Sequence, residues 1–119
     1  MTFAVQQNIA GVGQLVQVRI ANGATESDEI PTNGMIVVAI LLPAWTTATL
    51  TFKQGYVAGT RVLVCDGVTA ATNYTVQTTA SQWVPVDPAK LIGATGFVSL
   101  VSSASQGADR DIYVLLRYI

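Results

Sequence analysis

Apolar and polar residues alternate in short runs along most of the chain. Leu15-Val16-Gln17-Val18-Arg19-Ile20 puts Val16, Val18 and Ile20 on one face, the period-two pattern of a half-buried strand. Thr49 to Gln54 repeats it, with Leu50 and Phe52 inward. In Asp111 to Tyr118, Ile112, Val114, Leu116 and Tyr118 share one face, and Tyr113, Leu115 and Arg117 the other. Ile36 to Leu42 is apolar on both faces and reads as a central, fully covered strand. Arg61 to Cys65, Tyr74 to Thr78, Gln82 to Val86 and Phe97 to Ser102 complete the set. Turn residues stand between these runs, most clearly Asn22-Gly23 and Asp66-Gly67. Val, Ile and Thr recur throughout, and their stiff branched side chains suit a pleated surface. Helical spacing is confined to Asp87-Pro88-Ala89-Lys90-Leu91, where Asp87 suits a cap and Pro88 the first helical position.

About eight short strands without crossover helices predict an all-β fold, an antiparallel β-sandwich of jelly-roll-like form. A parallel sheet needs helical crossovers that the pattern does not supply. Residues 15–119 form a single β-sandwich domain on this reading, and residues 1–14 an N-terminal arm or edge strand. A chain of 119 residues is the size of one domain and buries a core without disulfides or metals.

Composition sharpens the functional reading. Charged residues make 11% of the chain, under half the usual share of about 25%. Half of the residues are apolar, which excludes a disordered chain. The balance of six basic and seven acidic residues is too even for phosphate neutralisation, so no nucleic-acid partner is expected. The apolar run from Met35 is stopped by Pro43, well short of the ~20 residues a membrane-spanning helix needs. The first residues, Met1 to Asn8, lack the basic region of a signal peptide. No membrane partner is therefore expected. What remains is a chain that covers aliphatic surface with partners, as subunits of permanent assemblies do.

Candidate chemistry is sparse. The chain has no His and one Cys, which removes His-based triads, His metal sites and intramolecular disulfides. No G-x-S-x-G elbow occurs, and no enzyme is expected. Glu26, Asp28 and Glu29 cluster, and Asp109 and Asp111 flank Arg110, without the spacing of a calcium loop. These read as a solvated loop and as local ion pairing. No two of the seven acids stand out as a glycosidase pair. Gly11-Val12-Gly13 lacks the third glycine and the strand-to-helix context of a dinucleotide motif, and reads as a hinge behind the arm. Cys65 has no cationic neighbour in sequence and reads as a buried, inert thiol. No cofactor, metal or catalytic residue is expected. Trp45, Trp83, Phe97, Tyr56, Tyr74 and Tyr113 suit either sugar stacking or, more simply, core and subunit contacts.

Three phrases carry a family likeness. Leu42-Pro43-Ala44-Trp45-Thr46-Thr47-Ala48-Thr49-Leu50-Thr51-Phe52 resembles the "LPAAWTAASLTFQ" stretch of small structural proteins of tailed bacteriophages. Asp87 to Ala94 is similar to their "LDPADFAGA" segment, and Ala108-Asp109-Arg110-Asp111-Ile112 to their "AADRTI" lead-in to the last strand. Order and spacing agree over roughly residues 30 to 119. The chain departs from the pattern at Gly55-Tyr56-Val57-Ala58-Gly59, which is short and apolar where the family is long and Asp/Gly-rich. Phe97 to Ser102 has also lost the charges of the family's "YLKVRSG" strand. Both departures suit a sheet covered by a neighbour.

The resemblance implies a virion structural protein with a β-sandwich fold. The first expectation is a capsid decoration, or cement, protein on the outer surface of the head, made in the bacterial host cytoplasm. Its partners would be the major capsid protein and further copies of itself, a homotrimer being favoured. The alternatives are a tail, baseplate or fibre-anchoring protein, and a carbohydrate-binding β-sandwich module. Trp45, Trp83 and Tyr113 are the expected aromatic contacts, since aromatics dominate interface hot spots. Phe3, Val5, Ile9 and Val12 are the expected docking residues of the N-terminal arm.

Overall fold

The computed structural model describes residues 5–9, 13–68, 71–91 and 96–118, with no helix among them. Among these residues nine strands form: β1 (Val5–Ile9), β2 (Gly13–Ile20), β3 (Ile30–Pro31), β4 (Ile36–Leu41), β5 (Leu50–Val57), β6 (Thr60–Leu63), β7 (Trp83–Pro85), β8 (Phe97–Ser102) and β9 (Arg110–Arg117). They build two antiparallel sheets, ordered β1-β2-β9-β4-β7 and β3-β8-β5-β6.

The pairing is nested. β5 pairs β6, β4 pairs β7, β3 pairs β8 and β2 pairs β9. This is one long hairpin with β5–β6 at its tip. It is folded over so that β9 also joins β4, and β8 also joins β5. A hairpin wrapped this way into two facing sheets is a jelly roll, so the antiparallel sandwich expected from the sequence is the fold. β1 precedes the wrapped hairpin and adds to the edge of β2, with Val5 opposite Gln17 and Ile9 opposite Gly13.

The core lies between the sheets and follows the alternation. Val16, Val18 and Ile20 face Ile112, Val114 and Leu116 of the neighbouring strand, all fully or almost fully buried. Leu50, Phe52, Val98 and Leu100 supply the opposite sheet. Each such side chain contributes roughly 1.5–3 kcal/mol on burial. Phe52 stacks on Tyr74, with ring centroids 5.9 Å apart.

The structure departs from the pattern in four places. Residues 74–78 form no strand. Asn73 bridges Cys65 and Val76 bridges Leu50 singly, while Thr75 Oγ1 donates to the Asn73 carbonyl at 3.1 Å, a local bond that competes with a ladder. β3 is only two residues long and ends in Pro31 at a sheet edge, where a missing donor does no harm. Tyr118 falls beyond the end of β9 and is exposed, not part of the core face. Asp87 Oδ1 does accept from Ala89 N at 3.0 Å, but the segment is a turn and not a helix.

The expectation of full cover for Ile36 to Leu42 is corrected. β4 runs between β9 and β7 with Val37, Ile40 and Leu42 in the core. A register shift between Val37 and Ala39 then puts Ala39 and Leu41 on the outer face, half-exposed.

Candidate functional site: two apolar surfaces

The first surface is the outer face of the five-stranded sheet. Register places Leu15, Leu115, Ala39 and Pro85 in one row across β2, β9, β4 and β7. Gln17, Tyr113, Leu41 and Trp83 form the next row. Trp83 is 51% exposed, while Leu41 and Tyr113 are half-buried. Two of the expected contact residues, Trp83 and Tyr113, thus share one row with a leucine between them. A shallow groove of about 280 Å³ opens beside them, lined by Leu41, Pro43, Ser81, Asp111 and Tyr113.

A charged row bounds this face. Arg19 Nε and Nη2 donate to the two oxygens of Asp111 at 2.8 and 3.1 Å, and Nη1 reaches Asp109 at 3.3 Å. The bond from Arg19 holds the Asp111 carboxyl below its ordinary range, against the opposing effect of burial. The local pairing expected within Asp109-Arg110-Asp111 is therefore corrected: both acids turn to Arg19 of β2. Arg110 instead donates to Gln106 Oε1 at 3.2 Å and Thr46 Oγ1 at 3.1 Å.

Trp45 plays a different part. It is half-buried against the core, and its Nε1 donates to Thr78 Oγ1 at 3.1 Å. It serves as an internal anchor, as a buried indole with a satisfied N–H does. Val5 and Ile9 stand on the edge strand β1, at the register positions given above. Phe3 and Val12 lie outside the described residues. Gly13, at the end of the proposed hinge, has φ +127°, and a Cβ there would meet the Leu116 carbonyl oxygen at 2.1 Å.

The second surface surrounds the β5–β6 tip. The segment 56–68 holds five exposed large apolar side chains: Tyr56, Val57, Val62, Leu63 and Val68. Its cause is local. β5 shifts register against β6 between Gln54 and Val57, so Gly55 and Tyr56 together oppose Arg61. A Cβ on Gly55 would lie 1.8 Å from the Thr60 carbonyl oxygen, so only glycine permits this approach. Such a bulge re-aims the residue beside it, and Tyr56 is left 84% exposed. Next to this ridge runs an apolar groove of about 570 Å³, lined by Gln54, Val62, Leu63, Val64, Cys65 and Lys90. Cys65 is exposed in it, which corrects the expected buried thiol; the strand ends two residues earlier, at Leu63, and leaves Cys65 outside the core.

The acidic cluster is the brace of this tip and not a solvated loop. Glu26 takes Lys53 Nζ at 2.9 Å, Arg61 Nη2 at 2.9 Å and Ser99 Oγ at 2.9 Å. Glu29 takes Arg61 Nη1 and, at 2.8 Å, the Gly59 N–H of the hairpin turn. Burial works to raise the Glu26 carboxyl, but the bonds from Lys53, Arg61 and Ser99 outweigh it and hold the group below its ordinary range. Asp28 lies in the same loop, and burial pushes its carboxyl up. The cluster was visible in sequence; its partners, 27 to 73 residues away, were not.

No three acid or thiol side chains gather as a metal site among the described residues. The aromatic residues do not converge on one groove either: Tyr56 lines the larger and Tyr113 the smaller. No family model, no curated protein and no solved structure matches the chain.

Proposed function

We propose that this chain is a structural protein of a tailed-phage virion, and specifically a decoration protein that binds the outside of the assembled head. The observation that carries the reading is the pair of charge-poor apolar surfaces, the Trp83–Leu41–Tyr113 face and the β5–β6 tip. A subunit of a decorated shell needs two kinds of contact, one to the shell and one to its own copies. The phage-like phrases at Leu42–Phe52, Asp87–Ala94 and Ala108–Ile112 and the jelly-roll topology support the same reading. On this reading the outer sheet face meets the major capsid protein.

The mechanism is linkage. A protein that binds only the assembled shell stabilises that state in proportion to its occupancy. Repetition over many sites lets modest individual contacts act together. The flat apolar rows carry no charge, and the Arg19 and Asp111 groups beside them are paired within the chain. No step of this mechanism calls for a catalytic group, cofactor or nucleic acid.

The test is the copy number of this chain in purified virus-like particles, by quantitative mass spectrometry against the major capsid protein. A ratio near one, or a simple fraction of it, is expected. A handful of copies would assign the chain to the tail, baseplate or fibre base. Absence from the particle would overturn the virion reading, and glycan binding would then be measured instead.

A further inference from the structure

We infer that the β5–β6 tip is the contact between copies of this chain, with the Tyr56–Val57 ridge of one copy seated in the groove of the next. The inference rests on the reading of the chain as a repeated structural subunit and adds the surface that joins the repeats.

Three observations select a second copy as the occupant. The first is area. Exposures of 84% for Tyr56, 71% for Val62 and 79% for Val68, with Val57 and Leu63, leave on the order of 400–500 Å² of apolar side chain in water. Of these, Tyr56, Val62 and Leu63 line the groove itself, a substantial part of the roughly 800 Å² that each partner buries in a stable interface, whose rim is polar.

The second is charge. Like surfaces carry like charge, so a surface that meets itself must have none in excess. Here the charged groups are engaged within the chain. Arg61 is held by Glu26, Glu29 and Ser99, Lys90 Nζ donates to the Asp66 carbonyl at 2.9 Å, and the Asp66 carboxylate, which also lines the groove and balances Lys90, accepts from Val68 N at 2.7 Å. An acidic or basic partner would call for the opposite arrangement.

The third is shape. Ridge and groove lie side by side on one corner, and the bulged residues Gly55 and Tyr56 also line the groove. A copy therefore offers the protrusion and the recess together, which is what a closed homotypic contact requires. Glu29 ties the hairpin turn through Gly59 N–H and Arg61, so the ridge is ordered before it is used. Preorganisation of this kind lowers the cost of association.

The experiment compares the intact protein with Val62→Asp and Tyr56→Ser, both at exposed positions, and with Trp83→Ser on the other surface. Sedimentation and native mass spectrometry read the oligomeric state, and far-ultraviolet circular dichroism checks the fold. The wild type is expected as a discrete oligomer at micromolar concentration. Val62→Asp and Tyr56→Ser should weaken association at least tenfold, and Trp83→Ser should leave it intact. Cys65 supplies an independent readout, because it lines the groove. Its alkylation should slow as the wild type is concentrated and stay fast in Val62→Asp. A wild type that is still monomeric at about 100 micromolar, of order 10⁻⁴ M, would overturn the inference. So would an oligomer that Val62→Asp leaves whole, or Cys65 alkylation at one rate throughout. Head binding by wild-type monomer would overturn this inference while leaving the decoration reading in place.

Discussion

Replacing Arg61 with Met tests the brace that shapes the β5–β6 tip. The substitution keeps the length of the side chain and removes its charge and donors. Glu26 then keeps Lys53 and Ser99, Glu29 keeps only Gly59 N–H among the bonds described above, and the fully buried Ser99 hydroxyl loses one partner. The side chains of Arg61, Glu26 and Glu29 are 19%, 29% and 23% exposed. That places them between an exposed pair, worth about 0–1 kcal/mol, and a fully buried pair, whose breakage costs about 3–5 kcal/mol. An intermediate loss of about 2 kcal/mol is expected at pH 7, or a fall in Tm of about 8 °C for a domain of this size. Acid supplies the check on cause. The Glu26 carboxyl is held low in the folded protein, so its contribution is complete above its ordinary value and lost as pH falls through the lowered one. The gap between wild type and variant should be constant from pH 7 to 5 and close below about pH 4.5. Urea denaturation at a series of pH values measures both. A variant within about 0.5 kcal/mol of wild type at pH 7 would refute the reasoning. A gap that survives full protonation of the acids would do so too.

Two further predictions follow from single residues. Gly55→Ala places a Cβ 1.8 Å from the Thr60 carbonyl oxygen, and a loss above about 3 kcal/mol or failure to fold is expected; a thermal melt equal to wild type would show that the tip relaxes freely. Asp28→Asn removes a carboxyl raised by burial whose Oδ2 is enclosed without a hydrogen bond. A charged Asp28 opposes folding most fully above its raised pKa, so the variant should gain about 0.5–1 kcal/mol at pH 7 and lose that advantage as pH falls. Equal or lower stability of Asp28→Asn at pH 7, by urea denaturation, would count against this.

The strands with one buried face were legible because their alternation is also their burial. Val16, Val18 and Ile20, Leu50 and Phe52, and Ile112, Val114 and Leu116 all sit where period two puts them. The strands without that signature were not: β3 is two residues long, and residues 74–78 have the composition of a strand but a local hydroxyl bond instead of a ladder. Of the expected contacts, Trp83 and Tyr113 share one row because both lie on outward phases of the two strands that flank β4. Trp45 does not, because its indole finds Thr78 across the connection. The apolar Gly55–Gly59 segment stands out in sequence as suited to cover by a neighbour, but nothing in the sequence marks Tyr56 as its most exposed residue. Exposure there depends on the bulge at Gly55, a backbone event that residue type alone does not announce.

The nested pairing also sets an order in time. β5 and β6 adjoin in sequence and can pair as soon as both exist, whereas β2 must wait for β9. Ile20 meets Arg110 about 90 residues later, a delay of about 5 to 20 s at ordinary rates of synthesis. Through that interval the Val16, Val18 and Ile20 face has no lasting neighbour in its own sheet on the β9 side. The nascent chain therefore carries one exposed aliphatic strand face until its last partner strand has been made.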